Sequence, residues 1–285
     1  MIKCIASDMD GTLLNSKQEV SEKNLDAIKK ALELGVEVII ATGRSYEEAM
    51  SVLRESGLEL PIICANGAEI RTKEGEVVKA HPLDHRIAKQ AASILDEVGV
   101  YYEIYTSEGT YTADYDKGVE LIIDIFTTAN PELSKDLVEE EAQHRYDEGL
   151  IHIVDSYEPI LNGEKTIYKL LVFNKDHSLL DQVEEKLKQV NDLEVTSSAF
   201  GNLELMNTQA QKGIALAEFV EGKGISLQDT MAVGDNYNDL SMFQVVGRSV
   251  AMGNANEDIK ERCTHVTLRN DESGVGEAIF QALAE

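Results

Sequence analysis

The chain predicts an α/β fold, a parallel sheet with helices on both faces, interrupted by an inserted α+β module. Two observations carry this. Short apolar runs alternate with helical patterns at both ends of the sequence, and the stretch between them follows a different pattern.

The first leg opens with Ile2-Lys3-Cys4-Ile5-Ala6-Ser7, a short buried strand that ends in acidic residues at Asp8. Ser21 to Leu34 then places Leu25, Ile28, Ala31 and Leu32 at helical spacing, with Ser21 as N-cap and Gly35 just past the end. Val36 to Ala41 reads as a strand, Ser45-Tyr46-Glu47-Glu48 as a capping box that starts a helix, and Pro61 to Cys64 as another strand. The last leg repeats this grammar: helix Lys212–Gly222, strand Thr230–Val233, helix Asp239–Val245, strand Ser249–Ala251, helix Val275–Leu283. Residues 1–82 and 208–285 therefore read as one core domain. Residues 83–207 read as the insert, with strands at Val100–Tyr105 and Ile167–Phe173 and helices near Arg86–Val98 and Leu179–Val190.

At 285 residues and 43% hydrophobic content, both parts can bury a core. The 26 basic residues face 52 acidic ones, a net charge of -26, and no basic run exists to neutralise a phosphate backbone, which excludes nucleic acid as partner. A phosphorylated ligand must then be drawn in by local cations: a divalent metal, a lysine, backbone N–H groups. Cys4, Cys64 and Cys263 are widely spaced and unpaired by any C-x-x-C pattern, as in a reducing compartment. Met1 to Ala6 is too short for a signal peptide and no apolar run has the length of a membrane span, so the expected location is the cytoplasm, with no membrane and no obligate protein partner.

Asp8-Met9-Asp10-Gly11-Thr12 lies at the carboxyl end of the first strand, the edge where open parallel sheets bind ligands. If strand geometry continues to Asp10, the period of two sends both carboxylates to one face, and Gly11 lets the chain turn afterwards. One acid can then attack phosphorus while the other moves protons to the leaving oxygen and from water. Taken alone, the run also reads as a polar strand-to-loop turn, the lesser of the two readings. Gly234-Asp235-Asn236-Tyr237-Asn238-Asp239 follows the strand at Met231–Val233 in the same way. Carboxylates from two adjacent strand ends suit Mg²⁺, with Asp8 and Asp235 binding through side chains and Asp10 through its backbone carbonyl. A turn into a helix N-cap accounts for Asn238 as well. Thr42-Gly43-Arg44 precedes a capped helix and offers a hydroxyl and free N–H groups to phosphate, though a plain helix start has the same letters. Lys212, beside Gly213 at the return to the core, is placed to neutralise charge on a transferring phosphoryl group.

In order and spacing, these four segments resemble the haloacid dehalogenase superfamily, and within it the Cof-type phosphatases with a large C2-type cap between the second and third motifs. Asn66-Gly67-Ala68, Leu203-Glu204-Leu205-Met206, Ala251-Met252-Gly253-Asn254-Ala255 and Gly274-Val275 are similar to that subgroup too. The resemblance spans the chain and implies a Rossmann-like core with a cap that closes over the site and sets specificity. It implies Asp8 as nucleophile, Asp10 as acid and base, Asp8 and Asp235 as Mg²⁺ ligands, and Thr42, Gly43, Lys212 and Asn238 around the phosphate. Arg44 and Asn66 join the substrate-binding set, and Asp239 orients Lys212 or a metal-bound water. Ser7 stands where an apolar residue commonly precedes the nucleophile, and Met9 replaces the usual Leu or Ile; both departures touch strand packing.

Other patterns are set aside. Gly163-Glu164-Lys165-Thr166 lacks the Gly-Lys adjacency of a P-loop. His81 and His85 are interrupted by Pro82, Glu139-Glu140-Glu141 reads as a solvated helix face, and Tyr101, Tyr102, Tyr105 and Tyr111 read as strand packing. The expected activity is hydrolysis of a small phosphomonoester, such as a sugar phosphate. The alternatives are a phosphomutase using the same aspartyl-phosphate and a non-catalytic phosphometabolite-binding protein.

Overall fold

The computed structural model describes residues 1–120, 123, 143, 145–197 and 201–285. Two compact units emerge: Met1–Ala80 with Ala210–Glu285, and His81–Gln209. The Glu139-Glu140-Glu141 run lies outside the described residues.

The first leg supplies β1 (Cys4–Ser7), β2 (Glu37–Ala41), β3 (Ile62–Cys64), β4 (Glu69–Arg71) and β5 (Val77–Ala80). The insert supplies β6 (Tyr101–Thr106), β7 (Gly109–Thr112), β8 (Ile151–Ile153), β9 (Ile167–Phe173), β10 (Leu193–Thr196) and β11 (Asn202–Asn207). The last leg supplies β12 (Thr230–Gly234), β13 (Arg248–Ala251) and β14 (His265–Val266).

The core sheet runs β14-β13-β12-β1-β2-β3-β4-β5. It is parallel from β14 to β3 and antiparallel from β3 to β5. β1 is central: Cys4–Ser7 pairs with Thr230–Val233 on one side and Glu37–Ile40 on the other. Strands covered on both faces must be apolar throughout, which is why these runs do not alternate with polar residues. Ile5, Val38, Ile40, Met231 and Val233 pack on one face with Ile28 of the helix Glu22–Glu33 and Ile279 of Gly274–Ala284. Cys4, Ala6, Ile39, Ala41 and Ala232 pack on the other with Leu216 of the helix Lys212–Gly222. Met9 is fully buried in the first of these cores, and the Ser7 hydroxyl, also buried, donates to the carbonyl of Asp8 at 2.8 Å. Neither departure from the family pattern leaves a packing defect.

Ser21 caps its helix by accepting from the Asn24 N–H, and Ser45 and Glu48 form a reciprocal capping box. Two features differ from expectation. The segment expected as a helix over Asp239–Val245 is a 3₁₀ turn, Tyr237–Asp239, with the Asp239 carboxylate turned back onto the Asp235 and Asn236 N–H groups, followed by one short helix, Leu240–Phe243. The β4–β5 hairpin was not foreseen; three- and four-residue strands are too short to show a periodicity.

The insert's sheet runs β10-β11-β9-β6-β7-β8, antiparallel except for β7 with β8. Helices His85–Val98 and His177–Leu187 cover one face over Ala88, Leu95, Val183, Ile104, Leu170 and Leu205. On the opposite face Tyr101, Tyr105, Leu171 and Phe173 pack together. Lys169 and Glu204, both buried, form an ion pair at 2.5 Å, with the ammonium 4.5 Å from the centre of the Tyr105 ring. His85 opens its helix and donates from Nδ1 to the Leu161 carbonyl at 3.1 Å. Among the described residues, no helix is long and apolar enough to cross a membrane.

Candidate active site

Strands β12, β1, β2 and β3 lie side by side and parallel, so their carboxyl ends share one edge of the core sheet. Asp8 follows β1 directly, Thr42 follows β2, Asn66 lies two residues past β3, and Asp235 follows β12. Lys212 opens the helix after the insert.

The strand does not continue to Asp10. β1 stops at Ser7, Asp8 stays extended, and Met9–Leu13 wind into a single π-type turn closed by the Leu14 N–H on the Met9 carbonyl at 3.0 Å. The turn is possible because Gly11 takes φ +74, which a side chain would resist. Asp10 is thereby carried out of the strand. Its carboxylate accepts from Arg44 Nε at 2.8 Å and Nη2 at 2.5 Å, a bidentate pair, and Nη2 also donates to Oε1 of Gln18 at 2.7 Å.

The other acids gather around Lys212. Its ammonium donates to Asp8 Oδ1 at 2.6 Å and to Asp239 Oδ1 at 2.7 Å, and all three side chains are buried. Asp239 Oδ2 accepts from the N–H groups of Asp235 and Asn236 at 3.0 and 3.1 Å. Gly234 makes room for this carboxylate: a Cβ there would lie 2.4 Å from Oδ2. Both oxygens of Asp239 are therefore engaged in holding Lys212 and the Asp235 loop. Thr12, buried in the turn, donates from its hydroxyl to Asp235 Oδ1 at 2.8 Å. Asp8 Oδ2 and Asp235 Oδ2 have no hydrogen-bond partner among the described residues.

Asp8, Asp235 and Asp239 each bring one oxygen within 4.8 Å of the others, so they form a group able to hold a metal ion. The carboxylate of Asp10 lies outside it. Burial pushes Asp8 up to about 7, against the pull of the Lys212 charge and with a further push from Asp239. Loss of solvent raises Asp235 well above the carboxylate range, reinforced by the charges of Asp8 and Asp239. Burial alone would lower Lys212, but Asp239 and Asp8 outweigh it and raise the ammonium above its ordinary value. Fully ionised, three carboxylates with one ammonium would carry a net negative charge in a low-dielectric site, a charge relieved either by protons on Asp8 and Asp235 or by a hard cation at their two unbonded oxygens.

The remaining expected residues form a second group. Thr42 is fully buried, and its hydroxyl oxygen accepts from the Arg44 N–H at 3.1 Å. Asn66, at φ +57 in the turn after β3, accepts on Oδ1 from Asn238 Nδ2 at 3.1 Å. A Cβ on Gly43 would lie 3.1 Å from that same Asn66 oxygen, so the neighbour that Gly43 accommodates is a side chain of the protein. Thr12 and Gln18 were not singled out by sequence. Thr12 stands four residues from Asp8 with a hydroxyl, a usable signal; Gln18 gave none.

A family model described as haloacid dehalogenase-like hydrolase matches residues 5–279. The chain belongs to that family. This hydrolase is 37% identical over 279 residues to phosphatase YwpJ of Bacillus subtilis, covering 96% of this chain and 97% of the relative. It is 37% identical over 284 residues to 5-amino-6-(5-phospho-D-ribitylamino)uracil phosphatase YwtE of the same organism, covering 99% of each. A solved haloacid dehalogenase-like hydrolase from B. subtilis superposes with a TM-score of 0.92 at 35% identity, covering 98% of this chain and 99% of that one. The Cof-type resemblance and the α/β core with its inserted module are the family's own architecture.

Proposed function

We propose that this hydrolase removes phosphate from a small phosphomonoester, a sugar phosphate or similar metabolite, through an aspartyl-phosphate on Asp8 with Mg²⁺ as cofactor. The observation that carries the reading is Asp8 itself: a buried carboxylate with Oδ1 held by Lys212 and Oδ2 unbonded, beside Asp235.

One carboxylate oxygen of Asp8 attacks phosphorus while the other serves the cation, and the bond from phosphorus to the ester oxygen breaks. Lys212 fixes the attacking carboxylate and offsets charge on the phosphoryl oxygens, while Asp239 keeps the ammonium in place. Asp8, Asp235 and the Asp10 carbonyl would hold Mg²⁺, which would supply further positive charge at the phosphoryl oxygens. Asp10 gives its proton to the leaving oxygen, then takes one from the water that cleaves the acyl-phosphate. Because Arg44 now occupies both Asp10 oxygens, that proton transfer requires the pair to part. Thr42, Gly43, Arg44, Asn66 and Asn238 are assigned to the phosphate and its surroundings. Selection of the leaving group is assigned to the insert, residues 83–207, since this reading commits the core's polar side chains to the phosphoryl group. The relative YwtE, named for a phosphorylated ribityl compound, supports a substrate of this size and kind. Three free thiols, Cys4, Cys64 and Cys263, fit a reducing cytoplasm.

The test is phosphate release from p-nitrophenyl phosphate with Mg²⁺, followed by a panel of phosphorylated metabolites. Turnover that chelator abolishes and that Asp8→Asn lacks is expected; undiminished turnover by Asp8→Asn overturns the reading.

A further inference from the structure

The turn Met9–Leu13 is closed by the Leu14 N–H on the Met9 carbonyl, and side chains from distant segments take up the carbonyls around it. Asn254 Nδ2 donates to the Gly11 carbonyl at 2.8 Å, Asn24 Nδ2 to Leu13 at 3.0 Å, and Asn270 Nδ2 to Leu14 at 3.0 Å. The Asn254 amide has a fixed orientation, because its Oδ1 accepts from the Asn270 backbone N–H at 3.0 Å and leaves Nδ2 to donate.

Of the three carbonyls, that of Gly11 belongs to the peptide that meets Asp235. A Cβ on Gly11 would lie 2.6 Å from Asp235 Oδ2, and Thr12, on the other side of the same peptide, donates to Asp235 Oδ1. The loop that carries Asn254 is tied to the opposite strand end, where the Met252 N–H donates to the carbonyl of Gly234, the residue before Asp235, at 2.9 Å. Asn254 thus bridges the segment that bears Asp8 and the segment that bears Asp235.

We propose that Asn254 is a positioning residue of the divalent-cation site: it holds the Gly11-Thr12 peptide against Asp235 so that the unbonded oxygens of Asp8 and Asp235 converge. This rests on the phosphatase reading above, which gives those oxygens to Mg²⁺. Removing the donor lets the turn relax away from Asp235 while every cation ligand remains.

The experiment is calorimetric titration of substrate-free protein with Mg²⁺, for the wild type, Asn254→Ala, Asn254→Asp and the comparator Asn24→Ala. Asn254→Asp keeps the acceptor for the Asn270 N–H and sets a carboxylate against the Gly11 carbonyl. Both Asn254 variants should bind Mg²⁺ about 10- to 100-fold more weakly. Their turnover should recover at high Mg²⁺, with KM for p-nitrophenyl phosphate nearly unchanged. Asn24→Ala removes an equivalent clamp from the same turn and should lower Tm without moving the Mg²⁺ affinity. Wild-type affinity in both Asn254 variants, an equal loss in Asn24→Ala, or failure of both Asn254 variants to fold overturns the proposal. A wild type that neither binds Mg²⁺ nor releases phosphate sinks the phosphatase reading first, and this proposal with it.

Discussion

The ammonium of Lys212 sits 2.6 Å from Oδ1 of Asp8, with both side chains out of solvent. Such a pair is held by mutual compensation: remove the cation and two buried carboxylates, Asp8 and Asp239, lose their shared partner. Lys212→Met should therefore destabilise the protein by about 3–5 kcal/mol, measured by urea unfolding without metal, as well as abolish turnover. A variant as stable as the wild type would contradict the arrangement.

The two acids of the first motif should fail differently. Under the proposed mechanism Asp8→Asn removes the nucleophile and should leave no detectable phosphate release. Asp10→Asn keeps the nucleophile and should lose about 10²- to 10⁴-fold in kcat, the usual contribution of a positioned acid or base. Equal, complete inactivation of both, in folded protein, would argue against separate roles.

Asp8 lies at about 7 in the folded metal-free protein, above its ordinary value, so its contribution to stability is present below about pH 4 and is lost as pH rises through 7. Asp235 is shifted in the same direction. The chelator-treated protein should accordingly show a Tm that falls from about pH 4 to about pH 7, and Mg²⁺ should raise Tm most at the upper end. Buried Glu103 in the insert, also lifted to about 7 by loss of solvent, adds a decline of the same sign that Mg²⁺ does not relieve. Asp8→Asn should flatten the Mg²⁺-sensitive part of the slope. A Tm that rises with pH in the absence of metal would refute this.

Two glycines of one helix offer an internal comparison. A Cβ on Gly213 would lie 2.0 Å from the Ser241 carbonyl oxygen, whereas one on Gly222 meets nothing within 4 Å. Gly213→Ala should cost about 1–3 kcal/mol through overpacking. Gly222→Ala should be neutral or gain up to about 1 kcal/mol by restricting the unfolded chain. Equal effects in thermal unfolding would count against the packing described.

Much of the frame was legible because strands buried on both faces write themselves as apolar runs, and because Ser21 and Ser45 cap helices through local bonds. The acids at strand ends were legible for the same reason: the run Cys4–Ser7 stops where Asp8 begins. What sequence did not disclose depends on contacts across the chain. The turn after Asp8 sends Asp10 to Arg44 and Gln18, an arrangement that no periodicity encodes. Asp239 was read as an orienting residue, yet its second task, holding the Asp235 loop through two N–H groups, is visible only in three dimensions. Asn254 was a letter in a motif until its amide was seen on Gly11.

The core sheet pairs two neighbouring strands from opposite sides of the insert in sequence: β1 begins at Cys4, and its neighbour β12 at Thr230. On a ribosome, β1 emerges early and waits through the whole synthesis of the insert before the partner that brings Asp235 exists. In that interval Ile5 and the rest of its apolar strand have an open edge, a hazard for misassociation. The insert, whose sheet closes within its own residues, can collapse in that interval without the last leg. Catalytic competence would then arrive late and in one step, when the last leg docks.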